Sequence, residues 1–366
     1  MKKKGFLLLM ITLLLFSLSG CEKGPSADQY VEEQINAVKT GDGELFSSLL
    51  DKGIEKSNKQ YVLQFPEELR PAYLAFLQEA FDAIDFQVSE ARKNGDGLYS
   101  VQLSFKPVNI GDTTKKIQDD FLSGMASTDL NTEAEALLEA SAKALSDSPA
   151  FEAKANVTLD VRKTEDGFIL NENTLETLLT QTLRNYMAPY DAVCELLDTH
   201  GFLTAYLDAS FKGEVTQFAL YTDRTEDEAL AWYEGDTFNP PDTMTAAYTD
   251  RYTAALKEIF RQCKYTVSIP RKENGVYNYT IDVTVIPNNS LLNTFSELDS
   301  GIYYSEEEVD KTVVELLEVY AAEPSYGEET VVTISLNMST ILNAGKDDSD
   351  LARLCNTIIP TKLGTE

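Results

Sequence analysis

Two nine-residue stretches decide the fold of this chain: Tyr99–Pro107, which reads YSVQLSFKP, and Tyr279–Pro287, which reads YTIDVTVIP. Apolar and polar residues alternate in both, which predicts β-strands with one buried and one solvated face. Each stretch ends in proline, which has no backbone N–H and is therefore typical of a strand end. The same pattern occurring twice in one order indicates an internal repeat.

The repeat extends to both sides of these strands. An amphipathic helix before the first strand has apolar residues at helical spacing, and a second helix repeats them in front of the second strand. The matched residues are Tyr73, Leu77, Phe81 and Ile84 in the first half and Tyr252, Leu256, Phe260 and Cys263 in the second. Shorter matches keep the same order: Lys39–Phe46 with Lys212–Phe218, Thr132–Glu135 with Ser305–Glu308, and Val157–Val161 with Val332–Leu336. Five ordered matches predict a duplication.

Each half is therefore predicted to contain helices, a β-hairpin, further helices and a return strand. Thr132 and Ser305 each precede a Glu by three residues, which is the spacing of a capping box that begins a helix. The predicted fold class is α+β, with two tandem similar domains over residues 28–186 and 190–366. In each domain, helices are expected to pack on a small antiparallel sheet.

The N-terminus has the pattern of a bacterial lipoprotein signal. Three lysines precede an apolar run from Phe6 to Leu18, which is too short to remain as a membrane span. Small residues follow, and then Cys21, whose thiol would accept a diacylglyceryl group. We therefore predict a signal peptide over residues 1–20, lipid attachment at Cys21 and a tether over residues 21–27. The mature protein is expected on the extracytoplasmic face of the cell membrane, held by fatty acyl chains such as palmitate.

The composition restricts the classes of partner. Against 31 basic residues there are 60 acidic ones, which gives a formal net charge of −29. Such a surface repels nucleic-acid backbones and anionic headgroups, so no nucleic-acid partner is expected. The chain is 43% hydrophobic, which argues against disorder as the reason for its acidity.

Three cysteines follow the predicted lipid site: Cys194, Cys263 and Cys355. Export permits disulfides, and three thiols allow at most one internal bridge. A bridge from Cys263 to Cys355 would join the end of a helix to the C-terminal segment. Buried thiols are the alternative, and the sequence leaves both open.

The order of these features resembles uncharacterised surface lipoproteins of Gram-positive bacteria. The features are the signal with Cys21, the short tether, a helix ending in Lys-Gly-Asp/Glu, and the strand Tyr-x-Val-x-Leu-x-Phe-x-Pro. The nearest match is Tyr206–Gly213, which reads YLDASFKG. The resemblance implies one or two copies of a domain of unknown function that is cystatin-like or nuclear-transport-factor-like in general shape. It implies no catalytic residues.

The sequence contains few residues of the kind that catalysis usually needs. His200 is its single histidine, which excludes an H-E-x-x-H protease and any site with two histidines. His200 precedes Gly201, and we expect it to be exposed at the C-terminus of a helix. The chain contains no Cys-x-x-Cys pair and no glycine-rich phosphate loop.

Two further segments stand out by composition, one acidic and one aromatic. The densest acidic cluster, Asp347–Asp350, lacks the spacing and the glycine of a calcium loop, so we expect a solvated loop before a helix near Leu351. No metal or cofactor is predicted. Trp232 and Tyr233 are the aromatic pair that does not fall on an obvious core face, and partial burial in a helix is expected for them.

These features favour a non-catalytic, membrane-anchored binding or interaction module rather than an enzyme. Its partner would be an unknown extracellular protein or a small ligand. One alternative is a nuclear-transport-factor-like enzyme with a buried carboxylate as general base. That enzyme would need a pocket lined by an Asp or Glu of raised pKa with a Tyr opposite. A transporter-associated solute-binding lipoprotein is the other alternative, but it would need lobes with parallel strands.

Overall fold

A computed structural model describes residues 25–41, 43–170, 172–272, 278–336 and 349–361. The predicted signal peptide, the lipid site Cys21 and the first part of the tether lie outside the described residues, and so do Asp347 and Asp348. Within the described ranges, no helix combines the length and the apolar character that a membrane crossing needs.

The described elements confirm the predicted α+β class. The helices are α1 (Ala27–Lys39), α2 (Gly43–Gln60), α3 (Arg70–Asp82), α4 (Ile110–Gly124), α5 (Leu130–Asp147), α6 (Glu172–Thr182), α7 (Ala188–Leu207), α8 (Val215–Thr222), α9 (Glu226–Glu234), α10 (Thr249–Arg261), α11 (Ser290–Asp299), α12 (Glu306–Ala322) and α13 (Ser349–Ile358). The strands are β1 (Gln87–Val88), β2 (Arg92–Gly95), β3 (Leu98–Phe105), β4 (Val108–Asn109), β5 (Ala155–Thr164), β6 (Gly167–Leu170), β7 (Leu183–Arg184), β8 (Lys264–Val267), β9 (Arg271–Lys272), β10 (Tyr279–Ile286) and β11 (Thr330–Leu336).

The stretches Tyr99–Pro107 and Tyr279–Pro287 supply the central strands of two antiparallel sheets. In the first sheet β3 pairs with β1, β2 and β5, and β6 adds to the far edge of β5. In the second sheet β10 pairs with β8, β9 and β11. Both central strands end just before the prolines that predict their ends. A short parallel pair, β4 with β7, lies outside these sheets.

The pairing register of the two sheets is the same once the sequence matches are applied. The pairs that β3 makes from Tyr99 to Phe105 have counterparts in the second sheet at the offsets of the repeat, whereas the β5–β6 pairs have none. Equivalent pairs are Val88–Leu103 and Val267–Val283, Lys93–Tyr99 and Lys272–Tyr279, and Val101–Leu159 and Ile281–Ile334. A slip of one residue would turn every side chain to the other face, so identical registers bury the same matched positions.

The correspondence continues outside the sheets. The isolated bridge between Val108 and Phe151 has its counterpart between Asn288 and Tyr326. The ammonium of Lys39 lies 5.6 Å from the ring centre of Phe86, and the matched Lys212 lies 4.6 Å from that of Tyr265. The same contacts therefore occur at positions that the sequence comparison matches.

One of the two predicted capping boxes is placed wrongly. Ser305 caps α12 as predicted, because its side chain accepts a hydrogen bond from the backbone N–H of Glu308. In the first half α5 begins earlier, and Asp129 caps it by accepting from the N–H of Thr132. A carboxylate three residues upstream competes successfully with the threonine hydroxyl for the free amides of the first turn.

The described chain divides into two compact units. The first contains the described residues up to Leu49, Leu77–Asn109 and Ala150–Arg184, and the second contains Leu50–Phe76, Ile110–Pro149 and the described residues from Asn185 onward. This division differs from the predicted domains 28–186 and 190–366, because α4 and α5 pack on α7 and belong to the second unit. The halves 28–186 and 190–366 therefore describe the sequence repeat.

Candidate ligand pocket in the second unit

Helix α7 is the centre of the second unit, and it continues through the position where the sequence predicts an end. His200 lies inside this helix and is partly buried, so the prediction of an exposed C-terminal histidine is wrong. The following glycine has a packing role instead. A Cβ on Gly201 would lie 2.1 Å from the hydroxyl oxygen of Tyr221, so only glycine allows this approach.

Asp198, on the same helix, is 3% exposed and holds a loop against it. Its carboxylate accepts hydrogen bonds from the backbone N–H groups of Val62 at 2.8 Å and Leu63 at 3.2 Å. The hydroxyl of Tyr221 lies near this carboxylate. Burial raises the pKa of Asp198 above its ordinary value, although the two amides and this hydroxyl act in the opposite direction. Because it holds two backbone amides of the loop, this carboxylate has a structural role.

Two more carboxylates follow the same face of α7 and are also engaged within the protein. Asp191 accepts a 2.6 Å hydrogen bond from the Ser57 hydroxyl, and burial raises the pKa of this aspartate. Glu195 pairs with Lys272 at 3.2 Å. Asp191, Glu195 and Asp198 line neither of the two cavities described next.

The larger of these cavities is a polar cleft of about 570 Å³ between α7 and α8. Two of its ionisable groups, Asp208 and His200, already have partners inside the second unit. Asp208 accepts hydrogen bonds from the hydroxyl of Tyr265 at 2.8 Å and from Lys212 at 2.7 Å. His200 lies with its Nε2 atom 3.3 Å from the carbonyl oxygen of Val267, and burial lowers the pKa of its ring. This cleft therefore offers a ligand few uncommitted charges.

The smaller cavity, of about 250 Å³, is the aromatic pocket. Four separate helical elements supply its rings: α7, the turn that follows it, α9 and α10. The rings belong to Tyr206, Phe211, Trp232, Tyr233 and Phe260. The C-terminal helix α13 and the residues just after it form the opposite wall with Ala352, Cys355, Asn356, Ile359 and Thr361, and Ser210 and Thr237 complete the lining.

The rings around the aromatic pocket are in contact with one another. The ring centres of Tyr206 and Trp232 are 5.8 Å apart, and those of Phe211 and Phe260 are 5.9 Å apart. The ring centre of Trp232 also lies 4.4 Å from that of Phe218, a residue that does not line the pocket. As predicted, Trp232 and Tyr233 lie in a helix, where Trp232 is half-buried and Tyr233 is buried. Such networks fix ring positions and leave a preformed cavity.

Tyr233 occupies an unusual position in this wall. It is 6% exposed, and its buried hydroxyl has no hydrogen-bond partner among the described residues. Gly213, with φ of +73°, lies against the ring, and a Cβ there would come within 2.9 Å of a ring carbon. The left-handed backbone and the close contact both require glycine at this position.

The two cysteines of the possible disulfide, Cys263 and Cys355, are both thiols, and one of them lines the pocket. No disulfide joins cysteines among the described residues. Cys355 is part of the pocket lining, whereas Cys263 is buried in the core. Burial, with a smaller contribution from the neighbouring Cys355, raises the pKa of the Cys263 thiol to about 12. A thiol in that state is a poor nucleophile.

Helix α13 is held to the sheet by two side chains. Asp350 accepts a 2.9 Å hydrogen bond from the backbone N–H of Ser335, and Arg353 donates a 2.7 Å bond to the carbonyl of Thr333. The amide of Ser335 lowers the pKa of Asp350. Asp350 is thus a docking residue of the helix rather than part of a cation loop. The part of the chain that the structure describes contains no group of three side chains suited to a metal ion.

Comparisons with known proteins add little to this picture. No protein-family profile matches the chain, and no curated protein matches it. Among solved structures, the crystal structure of a "putative lipoprotein (ycdA)" from Bacillus subtilis is similar at a TM-score of 0.31 and 12% sequence identity. The match covers 75% of this chain and 96% of that one. A similarity of this size carries no argument about fold or function.

Proposed function

We propose that this protein is a lipid-anchored extracytoplasmic binding module that takes a small organic ligand into the aromatic pocket and performs no catalysis. The anchor rests on the sequence around Cys21. The binding role rests on the convergence of five aromatic rings from four helical elements on one cavity. Concave, mostly apolar cavities with a few polar groups are the usual form of a small-molecule site.

The size of the pocket favours a small molecule over a protein surface. A cavity of about 150 Å³ accommodates benzene, so about 250 Å³ accommodates a compact ligand with roughly ten heavy atoms or fewer. Ser210, Thr237, Asn356 and Thr361 provide a polar fringe that can orient such a ligand.

The enzyme alternative finds less support. The carboxylates of raised pKa, Asp191 and Asp198, accept hydrogen bonds from Ser57 and from two backbone amides, respectively. A general base must reach a substrate proton, and neither group lines the aromatic pocket or the polar cleft. This arrangement supports the binding role.

The anchor is tested by replacing the lipid-bearing residue. In cells fed labelled palmitate, the wild-type protein should carry the label and sediment with membranes. Cys21→Ala should lose the label and appear as precursor or soluble protein, whereas Cys355→Ser should behave as wild type. Membrane retention and labelling of Cys21→Ala would contradict the anchor.

The pocket is tested through its own fluorophore, because Trp232 is the single tryptophan of the chain. In the mature chain carrying Cys21→Ser, cyclohexanol should produce a saturable change in the emission of Trp232. Ala352 is exposed at the pocket wall, so Ala352→Phe should cover the pocket without disturbing the core and abolish the response. Ala352→Ser is the matched control that leaves the pocket open. A linear response that is equal in all three proteins would contradict a binding site.

A further inference from the structure

The lining of the aromatic pocket combines two properties that restrict its ligand further. It presents five aromatic rings, and none of the described residues that line it is Asp, Glu, Lys, Arg or His. An anion would find no cation there, and a strongly hydrated ammonium ion such as that of lysine would find no carboxylate to replace its water. The ligand is therefore neutral, or it is a weakly hydrated cation.

The charge of the molecule separates these two choices. The formal net charge is −29, and removal of the predicted signal peptide with its three lysines would make it more negative. A field of this sign concentrates cations at the surface and repels anions. A cation therefore reaches the pocket with an advantage that a neutral molecule of the same shape does not have.

Rings in the wall of the aromatic pocket or next to it already lie close to cations of the chain itself. The ammonium of Lys257 lies 5.9 Å from the ring centre of Tyr233 and 5.6 Å from that of Phe238. The guanidinium of Arg224 lies 5.5 Å from the ring centre of Phe218, which packs on Trp232. Lys257 is also paired with Glu234 at 2.9 Å, so its charge is compensated. These contacts indicate that the faces of Tyr233, Phe238 and Phe218 favour positive charge.

We infer that the aromatic pocket binds organic cations of the quaternary ammonium type, in which methyl groups surround a positive nitrogen. Such a cation has an apolar outer shell that suits the rings and a charge that the π faces stabilise without a carboxylate. The inference rests on the proposed binding function and specifies the chemical class of its ligand.

The test compares choline with 3,3-dimethylbutan-1-ol, its neutral analogue with carbon in place of nitrogen. Both are titrated against the Trp232 emission of the mature chain carrying Cys21→Ser. Choline is expected to bind at least about fivefold more tightly than the alcohol. Added NaCl should weaken choline binding and leave the alcohol unchanged, because only the cation depends on the protein field.

A variant separates the π face from simple apolar volume. Phe211→Leu keeps an apolar wall and removes one ring, so it should reduce the preference for choline while the alcohol binds nearly as before. Phe260→Leu provides the same test if the first variant does not fold.

The outcomes distinguish the inference from the function on which it rests. Equal or tighter binding of the alcohol would overturn the cation inference and leave the binding function standing. An unchanged preference in both leucine variants would also overturn it. If neither compound gives a saturable response and cyclohexanol gives none, the binding function fails as well.

Discussion

In the first half of the chain, β6 continues the sheet beyond β5, whereas in the second half the equivalent edge of β11 meets side chains of α13. Asp350 accepts from the backbone N–H of Ser335, and Arg353 donates to the carbonyl of Thr333. The matched residues Asp160 and Thr158 lie next to the segment Val161–Thr164 that pairs with β6. Both solutions cover an edge that could pair with another chain. The second solution has a further effect, because it places a helix where it can form one wall of a pocket.

The halves also differ in the helix that follows the matched lysine. Helix α2 runs unbroken from Gly43 to Gln60, while its counterpart is divided into α8 and α9. The break lies at Asp223, whose φ is +52°, and Thr225 then caps α9. This break redirects the chain so that Trp232 and Tyr233 reach the aromatic pocket.

The remaining pocket positions show the same divergence. Phe260 has Phe81 as its match, but Val38 stands where the second half has Phe211, and Thr180 stands where it has Cys355. The comparison teaches that the two halves share a strand register and differ in the elements around it. Only the second half combines these changes into a ring-lined cavity within the described residues.

The largest expected effect tests whether matched residues of the two central strands contribute similarly to the free energy of unfolding. Val101 and Ile281 are matched, and both are 0% exposed. Ile281→Ala should destabilise the second unit by about 3–4 kcal/mol and Val101→Ala the first by about 2–3 kcal/mol, since each leaves a cavity. Urea unfolding monitored by hydrogen exchange of the two sheets measures this. A loss below 1 kcal/mol at either position would break the equivalence.

Asp198 should have the next largest effect, because this buried carboxylate clamps the backbone of Val62 and Leu63. Asp198→Ala leaves the amides of Val62 and Leu63 without their acceptor and should cost about 2–3 kcal/mol. The exposed helical carboxylate Glu139 provides the control, since Glu139→Ala should change the free energy of unfolding by less than 0.5 kcal/mol, about the usual surface effect. Equal effects of the two substitutions would show that the clamp contributes nothing.

The attachment of α13 should contribute less to the free energy of unfolding, since its hydrogen bonds are exposed. Asp350→Ala should cost about 1 kcal/mol and accelerate hydrogen exchange at Ser335. The pKa of Asp350 is lowered in the fold, so this contribution is present at neutral pH and is lost as pH falls through the folded pKa. Exchange at Asp160, the matched position in the first sheet, should not change. Unaltered protection at Ser335 would contradict the contact.

The smallest expected effect is a change in pH dependence. Burial raises the pKa of Asp191, so the folded state holds its proton more tightly, and stability falls as pH rises through the window between the unfolded and folded values. Asp191→Asn keeps an acceptor for Ser57 and should gain up to about 1 kcal/mol relative to wild type at pH 7 compared with pH 4. Urea midpoints at the two pH values measure it, with Glu139→Gln as control. A relative loss at pH 7 would reverse the sign of the argument.

Features that depend on a local sequence pattern can be predicted from the sequence alone. Alternation in Tyr99–Pro107 and Tyr279–Pro287 predicts both central strands, and the offsets between matches predict their common register. The position of His200 could not be predicted in the same way. Gly201 has the pattern of a helix end, and only its contact with the hydroxyl of Tyr221 shows that it is a packing residue.

The pocket was accessible to sequence reasoning in one respect only. Trp232 and Tyr233 stand out as an aromatic pair away from the core pattern, and they do line the site. The other walls come from Phe211, Phe260 and Cys355, which are tens of residues apart and have ordinary core patterns. Their convergence depends on the break after α8 and on the attachment of α13, which are tertiary features.

One measurement tests the contrast between the halves most directly: an amide chemical-shift map of the mature chain carrying Cys21→Ser during a choline titration. We expect saturable shifts at Phe211, Tyr233, Phe260 and Cys355, and none at the matched first-half positions Val38, Phe81 and Thr180. Equal shifts in both halves, or none around the ring-lined cavity, would contradict the account.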